Sequence, residues 1–268
     1  MKKTLAVVLT MGLALSFVGC GSKATTETAE TATEAVSEAV ETATEAASEV
    51  AAEAVSEASE AVADDAKSEG VMTYAEFAAA ELETEVVVET YVQAKQSWWE
   101  DKATFYTQDQ DGAYFIYEMA CSEDDYNKLV PGTKIKVTGV KSEWSGEVEI
   151  VDATYEIEEG NFVAEAKDAT DLLGKDELID LQNQLVSFSD MTVESVAFKN
   201  DQPGDDIYVT LSKDGASYDF CLEYYLNGSD EEFYNLVSGL EAGTVVDVEG
   251  FLYWYEGANP HITKVTVK

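Results

Sequence analysis

Two hundred and sixty-eight residues, 46% of them hydrophobic, suffice for one large domain or two small ones. The 54 acidic residues face 16 basic ones, all lysine, for a net charge of −38, and the chain holds one histidine, His261, and three cysteines. That balance excludes a sequence-specific nucleic-acid binder built on arginine and a basic face, a zinc site of clustered Cys and His, and any triad hydrolase not centred on His261. No cofactor, metal site or catalytic group is expected.

The chain opens with Lys2 and Lys3, then an apolar run from Thr4 to Val18 that ends in Gly19-Cys20. About 15 residues are too few to span a bilayer, which needs about 20. A positive start, a short apolar stretch and a small residue before the cut read as a signal peptide over residues 1–19. Phe17-Val18-Gly19-Cys20 resembles the lipobox of bacterial lipoproteins. That resemblance implies lipidation of Cys20, export, and anchoring to the outer face of the cytoplasmic membrane. Residues 20–70 then form an acidic stalk. Gly21 to Gly70 is nearly all Ala, Glu, Thr, Ser and Val, without aromatic residue or proline, and carries a net charge of −11. Its glutamates at 34, 38, 41, 45, 49, 53, 57 and 60 recur about every 3.7 residues, close to the helical period. Like charges four apart repel, however, and alanine offers little area to bury. The expectation is a solvated spacer.

From Val71 onward the composition changes: all four tryptophans lie there, and the net charge is −29. Thr73-Tyr74-Ala75-Glu76 is a capping box. Strands are expected at Thr84–Tyr91, Lys102–Gln108, Ala113–Met119, Thr133–Val140 and Glu147–Ile157. A short helix capped by Ser122 precedes Pro131-Gly132. The second half repeats the order. A helical lead-in at Lys175–Asn183 is followed by strands at Leu185–Phe198, Asp206–Ser212 and Ala216–Tyr224. A helix from about Asp230 to Leu240, capped by Ser229, then leads to strands at Thr244–Phe251 and His261–Val267. GTKIKVTG in the first half matches GTVVDVEG in the second.

Three strands, a helix and two strands in about 75–85 residues is the order of the OB-fold, a small five-stranded barrel. The chain thus reads as mainly β, with one such barrel over residues 71–160 and a second, with its lead-in, over 161–268. A single ten-strand sandwich is the alternative. The pattern resembles the OB-fold, nucleic-acid-binding-like domains found in exported proteins and lipoproteins of Firmicutes.

OB barrels bind ligands on the face of strands two and three, between the one-to-two and four-to-five connections. Trp98 and Trp99 fall in the first connection of copy one and Trp144 in the second, with Tyr106 and Tyr117 on the intervening face. Tyr253, Trp254 and Tyr255 fill the four-to-five connection of copy two. Flat rings stack on sugars or bases, or else cap the barrel ends as core. Thr107, Asp109, Asp111, Gly112 and Glu118 imitate a calcium loop, but strand-like flanks favour a hairpin turn. Cys121 and Cys221 read as separate buried thiols, and His261 as a packing residue.

Repulsion between phosphates and a −29 region places a non-enzymatic glycan- or peptide-binding or scaffold module first. Single-stranded nucleic-acid binding through the OB folds is the alternative, and a purely structural envelope role the second alternative. The sequence leaves the oligomeric state open.

Overall fold

Alternation of apolar and polar residues writes most of the strands. In β4 (Thr133–Trp144) every second residue from Ile135 to Lys141 points inward, as the two-residue period of a strand requires. The computed structural model describes residues 67–268. The leader, Cys20 and nearly all of the stalk lie outside the described residues.

The first barrel closes in the order β1 (Glu85–Lys95), β2 (Lys102–Gln108), β3 (Ala113–Ala120), β5 (Glu147–Asn161), β4. β1 pairs antiparallel with both β2 and β4, and β3 runs parallel to β5 through Phe115 opposite Glu149. Helix α1 (Tyr74–Ala79) starts with the expected capping box at Thr73. Helix α2 (Glu123–Lys128) starts at Ser122, whose hydroxyl accepts from Asp125 N. Lys141, turned inward by the alternation, ends α1: its Nζ donates to the carbonyls of Phe77, Ala78 and Ala80 at 2.9, 3.0 and 2.9 Å. The core is aliphatic and aromatic, with Val88, Phe105, Ile116, Met119, Ile135 and Val137 fully buried.

The second half is a six-stranded sheet: β10 (Val245–Phe251), β11 (His261–Val267), β9 (Ala216–Leu222), β8 (Ile207–Lys213), β7 (Leu185–Phe198) and the two-residue β6 (Lys167–Asp168). β10 also pairs with β7, which brings the sheet back on itself. The circuit β7-β8-β9-β11-β10 repeats that of the first barrel, including the parallel contact of third and fifth strands at His261 and Cys221. Helices α3 (Tyr224–Asn227) and α4 (Glu231–Ser238) lie between β9 and β10. α4 is capped by Asp230, which accepts from Phe233 N, and not by Ser229. The expected lead-in is a 3-10 turn, Asp176–Leu181. The pairings follow two separate circuits, so the chain is not one ten-strand sandwich.

A small third cluster, Tyr106, Phe115 and Phe251 with Leu185, Leu226 and Tyr253 against it, packs the two halves together. Polar bonds tighten the same seam. Leu185 N donates to Gln108 Oε1 at 2.8 Å, Gln182 Nε2 to Gly146 O at 2.8 Å, and Glu256 N to Ser145 O at 2.7 Å. Asp109 closes its hairpin by accepting from the backbone of Asp111 and Gly112, both at 2.8 Å, so the calcium-loop likeness is a tight turn.

Candidate ligand-binding groove

Two tryptophans stand at the tips of two-residue turns. Trp99 and Lys102 exchange backbone hydrogen bonds across Glu100-Asp101, whose φ angles are 47° and 62°. Trp144 opposes Glu147 across Ser145-Gly146, with φ of 54° and 94°. These are the left-handed turns that match strand twist and usually take Asn-Gly. A ring at the first position of such a turn projects from the end of the hairpin. Trp99 is accordingly 69% and Trp144 55% exposed.

The loop carrying Trp99 is pinned to the second half. Ser97 donates to Tyr225 O from its backbone N at 2.8 Å and from its hydroxyl at 3.1 Å. Trp99, Tyr117 and Tyr225, all exposed, thereby surround a hollow of about 480 Å³ on the strand-two and strand-three face. Its polar walls are already engaged: Lys102 pairs with Glu118 at 2.6 Å, and Gln96 Nε2 donates to Tyr106 Oη at 3.4 Å. Trp98 also borders this hollow, but packs on the first core and donates from Nε1 to Cys121 O at 3.0 Å.

Tyr117 and Gln96 form the common wall to a second hollow of about 670 Å³ between the halves. Trp144 and Tyr255, 5.2 Å apart, line it together with Tyr208 and Tyr253. Tyr253 stacks on His261 at 4.2 Å. Trp254 is half-buried, its ring lying over Gly146, where an added Cβ would come within 2.7 Å of Trp254 Cδ1.

Of the rings singled out by sequence, Trp99, Tyr117, Trp144 and Tyr255 reach solvent, and Trp98, Tyr253 and Trp254 are half-buried. Tyr106 is corrected: it is 1% exposed, and its hydroxyl lies 2.6 Å from His261 Nδ1. A ring enclosed by Phe115 and Phe251 cannot meet a ligand from solvent. His261 packs as expected, burial pushing its pKa down to about 3, so a neutral ring shares the hydrogen bond with the Tyr106 hydroxyl. Cys121 and Cys221 are separate buried thiols.

The carboxyls of this region are less charged than their number implies. Burial, with the charge of Asp206 adding to it, raises Glu223 to about 7, and burial raises Glu147 to about 8. Burial alone raises Glu149. Tyr208, Tyr225, Lys199, Glu149 and Glu223 line the hollows without having been marked by sequence.

No protein-family model and no curated protein matches the chain. Solved structures of similar fold include a murine DNA-binding protein bound to double-stranded DNA (12% identity, 68% of this chain and 96% of that one, TM-score 0.35). They also include the Ifi202 HINa domain in complex with 20-base-pair DNA (12%, 69% and 98%, TM-score 0.32). A third is a deletion mutant of the single-stranded DNA-binding protein of Thermus aquaticus (13%, 69% and 93%, TM-score 0.23). At such identities the likeness is one of fold. The expected glycan- or peptide-binding module is corrected to this extent: these three solved structures are of DNA-binding proteins, and none is of a glycan- or peptide-binding one.

Proposed function

We propose that the first hollow binds single-stranded nucleic acid by stacking bases on Trp99, Tyr117 and Tyr225, without catalysis. The observation that carries this reading is the set of three exposed rings around one hollow whose polar groups bond to one another. Sugar recognition draws on side-chain donors and acceptors for the hydroxyls, and here those groups are already taken. Bases need only a flat face, worth about 1–3 kcal/mol each.

Fluorescence anisotropy with labelled oligonucleotides tests this. Single strands should bind with a salt slope near zero, where a phosphate-led contact would contribute about −0.7 per phosphate. Trp99→Ala should abolish most of the affinity. Absence of binding at millimolar concentration, or binding indifferent to Trp99→Ala, would overturn the reading.

We also propose that the chain is exported and anchored through Cys20. The support is the leader itself: Lys2, Lys3, the short apolar run and Gly19-Cys20. Cys20→Ala should move the protein out of the membrane fraction, and unchanged anchoring of that variant would refute the assignment.

A further inference from the structure

The second hollow holds a feature that strand stacking on the first does not use. Glu149 lines it and is 9% exposed, yet its carboxylate has no ion-pair partner among the described residues. The other charges around it are accounted for. Lys199 is held by Asp206 at 2.8 Å and Asp205 at 3.6 Å. Glu223, which also lines the hollow, accepts Leu226 N at 2.6 Å and forms no ion pair among the described residues, although the charge of Lys199 reaches it. Burying a carboxylate without a counter-charge is costly. Desolvation accordingly keeps the Glu149 carboxyl above its ordinary range. Tyr117 and Tyr253 line the same hollow.

We propose that this hollow is a binding site for a small organic ammonium ion. The positive nitrogen would sit near Glu149 and Glu223, and its carbon substituents against Tyr117, Trp144, Tyr253 and Tyr255. Ring faces attract cations through their quadrupole, and desolvation strengthens the attraction. A bare metal ion fits poorly, since hard cations want six or more oxygen ligands. Among the described residues no group of three acidic, histidine or cysteine side chains is arranged to hold one. The site goes beyond strand binding and stands without it, although Tyr117 walls both hollows.

Calorimetric titration of the full chain with choline, spermidine and the uncharged choline isostere 3,3-dimethylbutan-1-ol tests the proposal. At least one of the two cations should bind ten-fold or more tighter than the alcohol. Glu149→Gln should erase that advantage without lowering the melting temperature, because no ion pair is lost. Glu223→Gln should reduce it, and Trp99→Ala should leave it intact. The proposal is overturned if neither cation exceeds the alcohol, or if the advantage survives both glutamate substitutions. Failure of oligonucleotides to bind would bear only on the first hollow.

Discussion

Glu147 sets a pH dependence that can be isolated by one substitution. Its side chain is wholly buried in the seam, where Oε2 accepts from Trp254 N at 2.8 Å and more weakly from Gln182 Nε2 at 3.4 Å. Oε1 and the neighbouring Asn183 Oδ1 are both acceptors without a partner among the described residues. A neutral acid has a proton to donate there, whereas a carboxylate adds a second unmet acceptor. Burial accordingly raises the pKa from 4.5 to about 8. The folded state holds a proton that the unfolded chain releases, so the contribution to stability is complete below pH 4.5. It declines as pH rises and is lost once pH passes about 8. Each tenfold change in proton affinity is worth about 1.4 kcal/mol, so the loss is at most about 5 kcal/mol. Glu147→Gln keeps an acceptor for Trp254 N and gains an amide donor. Urea denaturation should show variant and wild type close in stability at pH 4.5 and the variant several kcal/mol more stable at pH 9. Contributions from His261 and Glu223 are common to both proteins and cancel. The same stability difference at both pH values would refute the assignment.

Trp99→Ala and Trp144→Ala should leave the melting temperature nearly unchanged, whereas Trp98→Ala should cost about 3–5 kcal/mol, since only Trp98 packs on a core. Thermal melts of the three variants check this. Gly146→Ala should destabilise by about 1–3 kcal/mol, from strain at φ 94° and from its clash with Trp254, read by chemical denaturation. Lys141→Met should lose about 1–3 kcal/mol by leaving α1 carbonyls without their donor, which amide exchange would localise to Phe77–Ala80. The acidic surface should make the protein melt higher at about 150 mM salt than at about 10 mM, as the screening length falls from about 30 to 8 Å; a flat response would show that the charges do not strain the fold.

The strands were legible wherever one face meets a core and the other meets solvent. β2, β7 and β11 begin and end where alternation and turn residues place them. The groove was legible only in part. Trp99 and Trp144 were placed in the right connections, but Glu100-Asp101 lacks the glycine that announces a primed turn, so the loop looked longer than it is. In β5 the run Glu-Val-Glu-Ile suggests glutamates facing water. The second half covers that face, and Glu147 and Glu149 become buried while Val148 and Ile150 still face the first core. No local pattern reports a surface that another hundred residues will cover. Tyr208 and Tyr225 were hidden for the same reason, lying in a strand and a short helix of the second half that meet the first only in space.

The seam and the groove are one construction. The turn that exposes Trp144 carries Gly146 under Trp254 and sends Glu147 into the seam, and the loop that exposes Trp99 is held by Tyr225 of the other half. The backbone that carries the rings is therefore held by the packing of the two halves. Binding there would forgo the cost of ordering a mobile loop, while each exposed ring would still lose about 0.5–1.5 kcal/mol of rotamer freedom. In a site with few unpaired donors, that saving would favour binding by stacking. It also ties the groove to the seam: a change that loosens Gly146 or Glu147 should weaken ligand binding at Trp144 without touching any residue that meets the ligand.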